Sequence, residues 1–315
     1  MADRHLTSTI RVHDNWASVG FALRPLVDHV GPFAGPALLE AWHRRRGHGH
    51  VIEIVEGPGA LLALARHGDE VCFAGEADLT DYHTPLAESD DAAADLVTAY
   101  AATLASGTQV HLDSMPERAA VVVAAGLAGA GLAANPVQHE ITAVLDMAGS
   151  FDDWLGAIGR KQRHEVRRKG RRFGDGVGAP RLVRQAGVDA VARFADLHRR
   201  SSGAKGAFMT DDMEAWFGDL HREAGAVIDF LHGDGDRALA AAFGFEDAGV
   251  YYLYNSAYEP EAADVSPGMV LISALVERAA STGSRRIDFL KGSEGYKFRH
   301  GARPRPLFTV DARVR

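Results

Sequence analysis

Five short segments carry groups that could do chemistry. Near the C-terminus, Asp288-Phe-Leu-Lys291-Gly-Ser-Glu294-Gly-Tyr296-Lys297 gathers carboxylates, ammonium groups and a phenol where an apolar strand meets a Gly-rich loop. Loops at strand ends carry function more often than strand interiors, so this set could bind a polar substrate and move protons. A surface loop laced by salt bridges has the same composition. In the first half, Asp81-Tyr82-His83 places an acid, a phenol and an imidazole side by side, a set that could position an amine. Four of the seven tyrosines lie in Tyr251-Tyr-Leu-Tyr254-Asn-Ser-Ala-Tyr258. Strand alternation puts Tyr252, Tyr254 and Ser256 on one face, lining a pocket or packing as strand aromatics do. Ser266-Pro267-Gly268-Met269 suits a helix start, with Ser266 at the cap and Pro267 at the first position. The amides there could hold an anion. Finally, Arg160 to Arg172 holds eight Lys and Arg against one acid, Glu165. Arg160, Arg163, Arg167 and Arg171 recur at helical spacing, so they share a face that binds phosphates or a nucleic-acid backbone, or is simply solvated.

Other chemistries lack their residues. His48-Gly-His50 has no further ligands at a recognisable spacing, and the single Cys72 excludes a cysteine zinc site or a disulfide framework, so no metal is expected. There is no Walker loop, GxSxG elbow or HExxH.

The elements that must position these groups alternate between helix and strand. Helices are expected at Ala37–Arg46 and Ala92–Leu104, with another beginning at Pro116 in its first turn. Strands are expected at Val51–Val55, Leu61–Ala65, Val71–Phe73, Val110–Leu112 and Ile141–Leu145. Ser150-Phe-Asp-Asp153 reads as a capping box opening one long helix to about Phe173, with Phe151, Leu155, Ile158 and Val166 buried. In the second half, helices are expected at Asp189–Arg200, Asp211–Glu223 and Gly268–Ala280, the last ended by Gly283. Strands are expected at Val227–His232, Ala238–Phe245, Val250–Ser256 and Ile287–Leu290, with a hairpin turn at Glu246–Gly249 and a loop at Glu259–Pro267. The order of elements repeats on either side of Ser150, which places a domain division near residue 150.

The chain has 315 residues, with 46% apolar and 24% charged, enough to bury one large or two medium cores. Its net charge of −8 is unevenly spread: residues 1–150 hold no Lys and carry −11, whereas residues 151–315 carry +3. No apolar stretch reaches the roughly 18 residues of a membrane span, so no membrane insertion is expected. The polar Met1–Asn15 lacks the apolar core of a secretory signal. With one cysteine, the expected compartment is a reducing cytoplasm.

Together, Asp81-Tyr82, the Phe151-Asp-Asp-Trp154 helix running into Arg163-His-Glu-Val-Arg-Arg168, Ser266-Pro-Gly268 and the Asp288–Lys297 motif resemble the BioF2-like acetyltransferases. These form a group of the GNAT superfamily that includes CelD-like proteins and is related to the FemABX peptidyltransferases. The resemblance covers about residues 20–302 in motif order. It implies an α/β (α+β) fold of tandem GNAT-like domains with a cleft between them, each a mixed, mostly antiparallel sheet flanked by helices. Residues 1–150 would be the acceptor side and 151–315 the acyl-donor side.

The resemblance also implies acyl transfer to an amine of a small molecule or peptide. Acyl-CoA is the commoner donor in the superfamily, held near Ser256, Ser266, Gly268 and Met269. FemABX relatives use aminoacyl-tRNA, whose backbone Arg160, Arg163 and Arg167 would meet. Asp81 is the expected base, Lys297 or amides near Ser256 the oxyanion donor, and Tyr296 the acid for the leaving group. Tyr82, His83, Tyr252, Tyr254, Asp288 and Glu294 would bind substrate. The usual pyrophosphate loop, Arg/Gln-x-x-Gly-x-Gly/Ala, is reduced here to Val265-Ser-Pro-Gly268-Met-Val, with one glycine. Three functions therefore stand side by side: an acyl-CoA-dependent N-acyltransferase, an aminoacyl-tRNA-dependent FemX-like transferase, and a non-catalytic GNAT-like binding module.

Overall fold

A computed structural model describes residues 10–20, 23–147 and 149–315. Along the chain run β1 (Arg11–His13), α1 (Pro36–Arg46), β2 (Val51–Gly57), β3 (Ala60–His67), β4 (Glu70–Phe73), β5 (Leu86–Ala87) and α2 (Asp90–Ala101). Then come β6 (Gln109–Pro116), α3 (Glu117–Gly129), β7 (Pro136–Asp146), α4 (Phe151–Ala157), α5 (Arg160–Val177) and β8 (Arg181–Gln185). There follow α6 (Val188–Arg199), α7 (Ala204–Phe208), α8 (Asp211–Glu223), β9 (Val227–His232), β10 (Ala238–Asp247) and β11 (Val250–Tyr258). The last elements are α9 (Pro267–Thr282), β12 (Arg286–Lys291), α10 (Gly295–Arg299) and β13 (Arg303–Arg313). Two compact units form, Met1–Ile141 with Arg305–Arg315, and Thr142–Pro304. Where a division near residue 150 was expected, the units part at 141/142, and the final residues return to the first unit.

In the first unit the strand order is β1-β2-β3-β4-β6-β13, with β5 beside β3. Of these pairs only β4 with β6 is parallel. α2 and α3 cover one face, burying Leu96, Val97, Val123 and Leu127 with Leu62, Leu64 and Leu112. Gly126 makes their close approach possible, since a Cβ there would stand 2.6 Å from that of Val97 and 2.7 Å from the Ala94 carbonyl oxygen.

In the second unit the order is β7-β12-β11-β10-β9-β8, antiparallel except for β11 with β12. On one face, Leu271, Leu275 and Val276 of α9 and Trp154 of α4 pack on Leu253, Ile287 and Phe289. Elsewhere in the unit an aromatic cluster joins Phe194, Phe217, Phe243, Phe245 and Tyr254. The β10–β11 turn is two residues long, Ala248 and Gly249, at φ of 48° and 77°, the primed geometry that matches strand twist.

Three expectations need correction. The helix from Ser150 to Phe173 is two helices, because Ile158 and Gly159 take extended ψ values of 153° and 149°. The Ser150–Asp153 capping box itself is present in both directions. Pro116 is the cap before α3 rather than part of its first turn. The loop before α9 contains a 3-10 turn, Pro260–Val265. β1, β5, β8, α7, α10 and β13 were not anticipated.

Candidate functional site

β11 and β12 run parallel but pair at only three positions, Val250 with Arg286, Tyr251 with Ile287 and Tyr252 with Asp288. β11 then continues to Tyr258 and β12 to Lys291. A bulge accompanies the end of pairing: Phe243 opposes Asn255 and Gly244 opposes Leu253, so Tyr254 is the extra residue on β11. Gly244 is required there, because a Cβ would lie 2.4 Å from the Tyr252 carbonyl oxygen. Tyr252 lies opposite Phe245, and Tyr254 packs on Phe243 and Phe245, so the two tyrosines share a face. Ser256, expected beside them, lies past the bulge opposite Ala242 of the α9-side core and is on the other face. Tyr254 also accepts from the Trp216 indole at 3.3 Å. The Ser256 amide donates to Asn255 Oδ1 at 2.7 Å, which engages that amide within the strand. Asn255 Oδ1 also lies 3.1 Å from Nε2 of buried His198, whose pKa burial lowers most, followed by the Lys205 charge.

Beyond β11 the chain reaches α9. Ser266 is its cap residue but sits in the left-handed region (φ 55°, ψ 48°) and makes no side-chain capping bond. Pro267 has no N–H, and the amides of Met269 and Val270 turn back to the Ser266 carbonyl at 3.1 and 3.3 Å. The Gly268 amide is thus the first outward donor of the helix, a sparser cradle than a Gly-rich loop provides.

The Asp288–Lys297 motif folds around a buried ammonium. Asp288 is fully buried, and its Oδ1 accepts from the Leu290 amide at 2.8 Å, fixing Leu290 at φ 59°. Lys297 is 3% exposed. Its Nζ is surrounded by the carbonyls of Leu290 (3.3 Å), Lys291 (2.5 Å) and Gly292 (3.3 Å) and by Glu294 Oε2 at 3.0 Å. An ammonium has three protons, and these four acceptors already surround it. The structure therefore places Lys297 as a brace of the loop, not as an oxyanion donor. Glu294 is largely exposed. Tyr296 is half-buried on α10 against Phe289. Burial, with help from the Glu294 charge, pushes its phenol up to about 12.

The basic helix is divided in use. Arg163 donates to the carbonyls of Gly156 (3.1 Å) and Ile158 (3.2 Å), tying α5 to the end of α4. Arg160 and Arg167 are exposed, and Arg168 pairs with Glu165 at 2.8 Å. Arg167 and Arg171 line a cavity of about 280 Å³ that also includes Phe151, Leu155, Met269 and Val270.

The first-unit triplet is in a loop after β4. Asp81 is half-buried, and Tyr82 is fully buried beneath the Arg305 guanidinium, 5.2 Å from the ring centre. His83 is buried, stacked on Phe73, with Nδ1 3.0 Å from Asp113 Oδ1. Asp113 Oδ2 accepts from Ser114 Oγ at 2.8 Å, and the Ser114 amide donates to His139 Nε2 at 3.1 Å. Asp113, Ser114, His139, His198 and Asn255 are polar groups at these places that were not anticipated. They lie in apolar or mixed segments at no motif spacing, so nothing in the pattern marks them. The left-handed Ser114 (φ 58°) would have been a signal only with coordinates in hand. Among the described residues, no group of His, Cys, Asp or Glu is arranged to hold a metal, and no helix is long and apolar enough to cross a membrane.

Residues 160–298 match the family model described as an acetyltransferase (GNAT) domain. Among curated proteins, none matches. Solved structures share the fold at low identity. A conserved protein of unknown function from Bacteroides thetaiotaomicron is 12% identical with a TM-score of 0.65, over 97% of this chain and all of that one. FemX is 12% identical at 0.60, over 87% and 90% of the two chains. The L-PGS structure from Bacillus licheniformis is 12% identical at 0.57, over 90% and 93%.

Proposed function

We propose that this chain, whose residues 160–298 form a GNAT-type acetyltransferase domain, transfers an acyl group from acyl-CoA to an amine of a small molecule or peptide. The observation that carries this reading is the parting of β11 and β12 after three paired residues, with the start of α9 following β11. Parallel strands that diverge present edge amides and carbonyls to whatever enters the notch. The amide-bearing arm of a CoA thioester can pair with such an edge, and its diphosphate can meet the Gly268 amide at the positive end of α9.

The amine attacks the thioester carbonyl; a C–N bond forms, the C–S bond breaks, and the amine proton passes to a base. Asp81 is assigned that role, with the first unit holding the acceptor. Tyr296 stays protonated across neutral pH and is assigned to protonate the departing thiolate. Lys297 enters as a positioning residue that braces the loop before Tyr296.

The test is a donor screen with labelled acetyl-CoA, longer acyl-CoAs and charged tRNA, each with a panel of amines. Acylated amine from a CoA thioester supports the reading, and transfer from charged tRNA alone overturns it. The exposed Arg160, Arg167 and Arg171 along one face of α5 favour charged tRNA as the second reading, since such a row suits a phosphate backbone.

A further inference from the structure

We propose that the cavity between α5, the start of α9 and the end of α10 binds a phosphomonoester. The inference rests on the donor reading above and adds a subsite to it. The cavity, about 310 Å³, is lined by Lys161, Glu165 and Lys169 of α5, Met269 of α9, and Arg299 and His300 at the end of α10. Three cations line it against one acid, and the Glu165 carboxylate is engaged by Arg168. A concave site of one sign concentrates ligands of the other. The cations exceed the charge of about −2 that a phosphomonoester brings, and suit it better than a singly charged diester.

His300 is the second, independent observation. It is 1% exposed, and its Nδ1 lies 2.7 Å from the Tyr296 carbonyl, so Nδ1 carries the proton. Nε2 is buried with no hydrogen-bond partner. The ring is held in place by Trp154, which stacks on it at 5° and donates from its indole to the His300 carbonyl at 2.8 Å. Burial, then the charges of Arg299 and Lys169, hold the imidazole below its usual pKa, against the bond to Tyr296. From α10 the Tyr296 phenol also faces the ring and stays neutral; from α5, Lys161 and Glu165 complete the surrounding charges. An anion in the cavity offsets the cations and lets His300 take up a proton. Affinity for an anion of constant charge then falls as pH rises.

The phosphate is either the 3′-phosphate of CoA or a free ion, and titration calorimetry on the full chain separates them with CoA, dephospho-CoA, inorganic phosphate and sulfate. CoA is expected to bind about tenfold more tightly than dephospho-CoA, a difference of one strong charge contact. Lys169→Gln with Arg299→Gln should erase that difference and leave dephospho-CoA unchanged. Both side chains reach the surface, so the fold is retained. Sulfate affinity should fall as pH rises in the parent and be flat in His300→Asn.

Equal binding of CoA and dephospho-CoA, with the double variant silent, overturns the site and leaves the donor reading standing. Binding of phosphate and sulfate that depends on Lys169 and Arg299, with neither CoA form bound, supports the site and removes acyl-CoA as donor. Binding of charged tRNA alone, unaffected by the double variant, overturns the site.

Discussion

Removing the Lys297 side chain takes a cation away from three carbonyls and a carboxylate. A buried acceptor left unmet costs about 1–3 kcal/mol, so Lys297→Met should lower the melting temperature and, through the loop before Tyr296, turnover as well. Calorimetry beside steady-state kinetics checks this. Lost turnover at an unchanged melting temperature would return Lys297 to the chemistry. Asp229 makes a sharper stability test. It is fully buried, and its carboxylate bonds to Arg278 and to Arg184, the latter at 3.0 Å. Burial is the largest influence and raises its pKa, but the bonds to Arg278 and Arg184 outweigh it and hold the carboxyl below its ordinary value. A depressed carboxyl contributes stability above its unfolded pKa and loses it as pH falls through the folded value, so the loss lies below about pH 4. Asp229→Asn should cost about 3 kcal/mol at neutral pH by stranding the half-buried Arg278 guanidinium, whereas Arg184 keeps its pair with Glu246. It should also flatten the acid limb of stability in urea titrations from pH 7 to 3.

At the scale of the element, α5 separates two kinds of arginine. Arg163→Gln removes the tie between α4 and α5 and should lower the melting temperature while sparing donor affinity. Arg160→Glu with Arg167→Glu should leave the melting temperature alone. If charged tRNA is the donor, these reversals weaken its binding and reduce the salt slope; a flat salt response counts against tRNA. The features of the helices legible beforehand were those with local causes. The Ser150–Asp153 box and the Gly283 cap each depend on residues within a turn, and Ala248-Gly249 on the two residues of its own loop. The break at Ile158-Gly159 was not legible, because helix-compatible residues continue through it and the stop depends on packing around Ile158. Strand β13 begins Arg303-Pro-Arg-Pro and pairs with β6, almost two hundred residues earlier, so nothing local announces it. The site divides in the same way. The Asp288–Lys297 motif marked a polar, Gly-rich loop at a strand end, but the burial of Lys297 among main-chain carbonyls leaves no trace in side-chain pattern. Asp113 meets His83 from thirty residues away.

At the scale of the molecule, the first unit draws its last strand from the end of the chain. Deleting 305–315 removes six register positions on β6, the buried Leu307 and Val310, and the guanidinium over Tyr82. Hydrogen exchange should then show β6 losing protection while β9, β10 and β11 of the second unit keep theirs. Equal loss in both units would contradict the division. The same arrangement has a consequence for biosynthesis. Residues 142–304 are an insertion in the path of the first unit, whose β6 receives β13 only at the end. On the ribosome the later-starting unit can mature first, while the earlier one waits with a strand edge uncovered. That interval is when a chaperone has something to hold, and a premature stop codon after residue 304 would leave the waiting state permanent.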